Sequence, residues 1–570
     1  MSSPHSEKAS LDMTAPTLTS RSQGSPASTI VDDKHPQEKK SLRFWLIFVA
    51  LCMATFLSAL DLTAVSTALP DIAAAFHTSD YSWVGSAYAL TSTALIPCTG
   101  GLAAIFGRRP VMLGALVLFA LGSALAGAAQ NMSMMLAGRS IPGIGGGAIL
   151  TMTEIVITDL VPLAERGAYF GIIGAVWALA SAIGPPIGGA LASGGAWRWL
   201  FYLNLPLTGI AIVLVALFLR VKAPQTTTME KLEQMDYANL IFVAASTATV
   251  LGLTWGGVTY SWSSYKVLVP LILGLAGIAA FLYVEKRFVK YPTVPFDILT
   301  HRTSLLGYAT TFLHSIIVLA IIYFLPVYFQ ATKGASAIRS GIDLFPVSFI
   351  VAPFAIVVGI SVTITGHYKI QNHIGWAFLT LGMGLMTIPK WDSSTVMWVF
   401  FTMIPSIGAG LLRDQLPRPC PTQARSAASR RTFRLVSPPL LPRLTRFPLQ
   451  MAFYGFVRSF GQVFVIAIGS TVLQNQLAKK LPADFAAQFG EGEIAFAAIP
   501  YIKGLAEPLR TLARAAFADS LRTIWQVCIG VAGLGFLLSL GIQQMSLATE
   551  TDQENWGLKE KEREKEVIGV

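Results

Sequence analysis

GGLAAIFGRRPVM, residues 100–112, decides how the chain around it is read. One long apolar run precedes it and another follows. Between them Arg108 and Arg109 stand side by side, with Gly107 before and Pro110 after. Two cations in a tight turn between membrane-length segments mark a cytoplasmic loop, because Lys and Arg resist transfer across a bilayer. Gly100, Gly101 and Gly107 let helix ends approach and the chain turn without a Cβ clash.

Composition points the same way. The 570 residues are 53% hydrophobic and 13% charged, with mean hydropathy +0.58, where soluble globular proteins carry about 25% charged residues. This is the make-up of a polytopic membrane protein, not of a soluble enzyme. The net charge of +11 is no argument for nucleic acid, since the cations are scattered in short loops. Anionic headgroups and the positive-inside bias account for them. Cys52, Cys98 and Cys528 lie in apolar runs and Cys420 in an unusual segment. Without a CxxC or a Cys/His cluster, neither disulfide nor metal is expected. Walker motifs and nucleophile constellations are absent, so neither an ATP-driven pump nor an enzyme is expected, and no cofactor is called for. No cleaved leader is expected.

A span needs about 20 mostly apolar residues. Segments near 43–66, 82–103, 111–130, 134–157, 168–192 and 200–219 qualify, followed by a pair near 237–258 and 267–285. Six more follow near 304–328, 340–364, 373–391, 395–412, 452–473 and 522–544, about fourteen in all. The expected organisation is a disordered tail over 1–42, six spans over 43–219, a two-helix insertion over 220–302, six spans over 303–544 and a charged tail over 545–570. With both termini inside, the short cytoplasmic loops hold Arg108, Arg109, Arg166, Arg220, Lys222, Lys231, Lys286, Arg287, Lys290, Arg302 and Lys369. The short outer loops hold Arg198, Lys266, Lys333, Arg339 and Lys390, so the excess favours this orientation. A long outer loop is expected over 474–521, its stretch from Phe496 to Leu521 partly helical and lying on the membrane surface. Asn131-Met132-Ser133 is a glycosylation sequon in a loop too short to favour its use. Residues 413–450, rich in Arg and Pro, carry no span or helix signal. They read either as a regulatory cytoplasmic loop or, the preferred alternative, as a retained intron or frame slip.

Several strings now resemble a known family. The 100–112 loop resembles the signature between the second and third spans of the major facilitator superfamily, G-x-L-a-D-r-x-G-r-r-x-x-l. Gly100, Leu102, Gly107, Arg108 and Arg109 match it, while the acidic position falls on Ala104. In the family that acid can pair with arginine and hold the outward-open state, so its loss implies a weaker latch. Leu60-Asp61-Leu62-Thr63-Ala64-Val65 with Ala68-Leu69-Pro70 looks like the first-span signature of the fourteen-span drug:proton antiporters. LAGRSIPGIGGG around Arg139 is similar to their fourth-span pattern, with Gly143 and Gly145 in place and Pro142 where Gln is usual. Gly171, then Gly184-Pro185-Pro186-Ile187-Gly188-Gly189, resembles the fifth-span antiporter signature of exporting facilitators, with Ala180 where Gly is usual. Trp197-Arg198-Trp199 followed by Phe201-Tyr202-Leu203-Asn204-Leu205-Pro206 looks like the sixth-span string of the same branch.

The residues themselves leave alternatives. A carboxylate such as Asp61 inside the hydrocarbon is costly and marks an ion or substrate path, unless it only caps the outer end of its helix. Arg139 either tunes such a carboxylate or snorkels to the outer headgroups. Glu154 joins an inner charge network or is a solvated helix end. The Gly and Pro pattern is either a hinge or close helix packing alone. Glu285, His314, Asp343 and His373 are the polar residues of the weaker second part, and His314 either titrates or is packed.

Together the resemblance implies an all-α facilitator fold, two six-helix bundles plus two extra helices, rocking about a midplane cavity. It implies export of small amphipathic compounds in exchange for protons by a monomer in the plasma membrane. The proton-coupling residues would be Asp61, Arg139 and Glu154. The conformational residues would be Gly100, Leu102, Gly107, Arg108, Arg109, Gly171, Gly184, Pro185, Gly188 and Gly189. The alternatives are vacuolar amino-acid or iron-chelate transport, or a non-transporting sensor.

Overall fold

A backbone in hydrocarbon finds no hydrogen-bond partner but itself, so apolar runs of this length fold as helices. The computed structural model describes residues 40–76, 82–162, 165–220, 229–230, 235–257, 260–289, 292–294, 296–412, 446–489, 494 and 498–544. The first six long helices are α1 Leu42–Phe76, α2 Ser82–Phe106, α3 Arg108–Gly127, α4 Met132–Leu160, α5 Arg166–Ser193 and α6 Asn204–Phe218. The insertion supplies α7 Asn239–Trp255 and α8 Tyr265–Arg287. The second six are α9 Arg302–Lys333, α10 Phe345–Thr365, α11 Lys369–Leu385, α12 Thr395–Leu412, α13 Arg446–Lys480 and α14 Leu509–Leu540.

Among the described residues, twelve helices are long and apolar enough to cross a membrane. Fourteen were expected, and α7 and α11 make the difference. Each has only 17 residues, the short end of what can span. The first turns of α11 carry Lys369, Gln371, Asn372 and His373, which lower its hydropathy.

α1 to α6 pack on one another, as do α9 to α14. The two halves meet along α5 against α10 and along α2 against α13, while α7 and α8 pair and α7 leans on α2 and α13. Buried side chains of the first half include Phe119, Phe201, Ile47 and Leu51, and of the second Trp376, Phe324, Phe329 and Phe517.

Three expectations change. The loop expected over 474–521 is shorter, because α13 runs on to Lys480 and α14 starts at Leu509. Phe485, Phe517 and Leu521 are fully buried in the second half's core. Of the anomalous stretch, 413–445 lies outside the described residues, whereas Arg446–Gln450 forms the start of α13. Arg108 is not a loop residue at all. It opens α3, directly after Gly107, whose positive φ of 88° suits glycine. Asn131, of the sequon, caps α4 by accepting from Met134 N at 2.9 Å.

Candidate functional site

Asp61 lies in the interior of the continuous helix α1, not at an end, so it caps nothing. Arg139, on α4, donates through Nη1 to Asp61 Oδ2 at 2.6 Å, and both side chains are 1% exposed. Its Nε donates to the Val84 carbonyl at 3.0 Å, and the guanidinium lies over the rings of Tyr88 and Phe201. A snorkelling arginine would be solvated, and this one is not. The remaining carboxylate oxygen, Oδ1, accepts from Asn204 Nδ2 at 2.9 Å, and Asn204 also reaches Ser123 Oγ at 3.3 Å. Asn204 begins α6 and is itself buried. In the sequence it was only one letter of an aromatic string, and nothing local marked it as a partner of Asp61. Tyr88 OH and Ser58 Oγ, 3.0 Å apart, continue the polar patch.

The site joins α1, α4 and α6 within the first half. Each carboxylate oxygen has a donor, which a buried ion pair requires. The arrangement is a buried ion pair with a neutral amide on its second oxygen.

Glu154 lies in the second half of α4, buried, and pairs with Arg458 Nη1 of α13 at 2.7 Å. Arg458 also stands over the Tyr454 ring. The solvated-end reading therefore fails for Glu154, which bridges the two halves. Arg458 was missed because the second half offered no motif to frame it.

The 100–112 segment is held differently from the family pattern. Arg108 is buried and forks onto Asp159 at the end of α4, with Nε to Oδ2 at 2.7 Å and Nη2 to Oδ1 at 3.3 Å. Nη1 donates to the Ala103 carbonyl at 3.0 Å. Asp159 thus supplies the acid that Ala104 does not. Arg109 donates to the Ala216 carbonyl of α6. Gly100 and Gly107 are buried and Leu102 is half-buried.

Along α5, small residues face two partners. A methyl on Gly171 would sit 3.0 Å from the Ala355 carbonyl oxygen of α10, and one on Gly189 would sit 2.8 Å from Ile338. One on Gly341 would meet Pro185 at 3.0 Å and Pro186 at 2.9 Å. Gly184 instead faces Thr63 of α1, and Gly188 is buried. α5 continues as helix through both prolines.

The other polar residues are satisfied locally. His314 and His373 lie 3.3 and 3.1 Å from the carbonyls of Ala409 and Ser539. Asp343 pairs with Arg339 at 3.0 Å.

These features define a multi-pass helical membrane protein of two packed halves with a buried ion pair in the first. The family model of the Major Facilitator Superfamily matches residues 51–429, and the chain belongs to that family. Efflux pump FUS6 of Gibberella moniliformis is 38% identical over 552 residues, 94% of each protein. The MFS-type efflux pump LUC4 of a Fusarium species is 38% identical and aligns over 93% of this chain and 92% of its own. The acurin A biosynthesis cluster MFS-type transporter of Aspergillus aculeatus is 36% identical over 92% and 94%. Among solved structures, the human organic anion transporter MFSD10 shares the fold at TM-score 0.56 and 15% identity, covering 88% of this chain and all of that one. The proton:xylose symporter XylE does so at 0.55 and 12%, over 90% and 99%.

Proposed function

We propose that the chain exports small amphipathic organic compounds, secondary metabolites among them, in exchange for protons, as a monomer in the plasma membrane. The buried Asp61–Arg139 pair with Asn204 on its second oxygen carries the reading. A charge pair costs several kcal/mol to bury, of order 3–5 if one partner is lost, and such a site in a transporter interior marks an ion path. A proton arriving from outside neutralises Asp61 and frees Arg139 and Asn204. Release toward the cytosol re-forms the pair. The relatives named efflux pumps supply the direction of transport. The Glu154–Arg458 bridge between the halves would open and close with the same cycle.

Asp61→Asn tests this, measured as substrate uptake into inside-out vesicles under an imposed pH gradient. Because it strands a buried Arg139, the double variant Asp61→Asn, Arg139→Gln is assayed beside it, with surface abundance as the folding control. The double variant is expected to reach the membrane at parental abundance, and neither variant to concentrate substrate. A folded double variant that accumulates substrate as steeply as the parent rules Asp61 out as the coupling group.

A further inference from the structure

Among the described residues, three ion pairs join different long helices, and they differ in how far water reaches them. In Asp61–Arg139 both side chains are 1% exposed. In Arg108–Asp159 the guanidinium is 0% and the carboxylate 6% exposed. In Glu154–Arg458 the carboxylate is 9% exposed and the arginine 30%. The first two guanidinium groups are sealed. Arg458 is not, although it lies well inside α13.

The guanidinium reaches across to α4, the most buried of the twelve spans. Its open side therefore faces the seam where α13 meets α2 and α4, away from lipid. A cation that water reaches inside a span lines a wet cavity. The seam is tight beside it. A methyl on Gly455, one turn before Arg458, would sit 3.4 Å from Ile96 of α2 and 3.4 Å from Thr151 of α4. The central carbon of the guanidinium stands 5.4 Å from the Tyr454 ring centroid. Arg458 thus has a packed floor and one accessible side. A guanidinium carries five N–H donors, and a carboxylate takes two of them in a fork. Glu154 alone does not use them up.

We propose that Arg458 recognises an acidic group on the cargo, so that the exported compounds include amphipathic carboxylates, and that Glu154 is the built-in anion holding their place. This rests on the export reading given above. The cargo carboxylate meets the open side of Arg458 first and then takes the fork from Glu154. No covalent bond is made or broken. Because Glu154 and Arg458 tie the two halves together, the exchange removes a tie across the seam, and water entering there solvates Glu154. An acid therefore binds the parted seam better than the closed one, which is the differential affinity a ligand needs to shift a conformation. A neutral compound of the same shape leaves Glu154 in place, and a cationic one meets Arg458 as a like charge.

The test measures binding to the full chain in nanodiscs of neutral lipid at neutral pH, with the signal of empty discs subtracted. The probes are naphthylacetate and its neutral isostere naphthylacetamide. The parent is expected to prefer the acid. Glu154→Gln removes the internal competitor and is expected to bind the acid about tenfold tighter than the parent, the amide unchanged. Adding Arg458→Gln to Glu154→Gln leaves no buried carboxylate stranded and is expected to abolish the preference. Adding Arg458→Met instead gives the same result by a second route should that double variant not fold, as judged by its size-exclusion profile. No gradient is applied, so a chain that does not exchange protons still answers. Equal affinity for acid and amide in Glu154→Gln, absence of acid binding to it, or a preference that survives the loss of Arg458 overturns the recognition. Equal acid affinity in the parent and Glu154→Gln overturns the displacement of Glu154.

Discussion

Arg108 shows how far one side chain departs from its local reading. Its motif resemblance called for an acid at 104, where the chain has Ala104, and implied a weak latch. In the structure Asp159, 51 residues away, binds the guanidinium through two hydrogen bonds, and the pair is almost fully buried. Losing one partner of a buried pair costs about 3–5 kcal/mol. Asp159→Asn is therefore expected to cut the yield of folded protein, measured by detergent size-exclusion profile and thermal stability, while Ala104→Asp leaves both near the parent. If Ala104→Asp rescues Asp159→Asn fully, the two acids are interchangeable and Asp159 has no special place. Equal stability of Asp159→Asn and the parent refutes the burial argument.

At the scale of the element, α5 carries one of the two seams between the halves. Its face from Gly171 to Gly189 lets the α10 backbone and the short helix Ala337–Ile342 approach closely, as small residues do in membrane interfaces. The distances leave no room for a branched side chain at Gly171. Gly171→Leu is expected to force the helices apart at about 1–3 kcal/mol, abolishing transport while the protein still inserts. The assay pairs vesicle transport with surface biotinylation. Full transport by Gly171→Leu shows that α5 and α10 need not stay close through the cycle. Gly114, by contrast, has nothing within 4 Å of its missing Cβ, so Gly114→Ala is the matched silent control.

For the whole molecule, orientation is set by the summed charge of short loops. Arg108 is a poor reporter of it because its side chain is buried. Arg220, at the end of α6, is exposed, and its carbonyl accepts from Arg43 Nη2 at 2.8 Å, which places the start of α1 on the same face. An Arg220→Cys variant lacking Cys52, Cys98, Cys420 and Cys528 is expected to resist an impermeant thiol reagent in intact cells and to react after permeabilisation. Labelling of intact cells reverses the assigned orientation.

What the sequence by itself determined is one-dimensional: where apolar runs are long enough to span, where cations stop them, and which strings match a family. Those signals are local, so the helices, the first-half motifs and the presence of Asp61 and Arg139 inside apolar runs were legible. Partners were not. Asn204 lies 143 residues from Asp61, and Arg458 lies on a different half from Glu154. Span lengths were also legible only in part, since α14 starts well before its apolar run, where Phe517 and Leu521 find a protein core instead of lipid. A carboxylate in the sequence is a cost without an account of how it is met. Only the tertiary structure decides that, because the donors that stabilise a buried charge come from whichever helices packing has brought beside it.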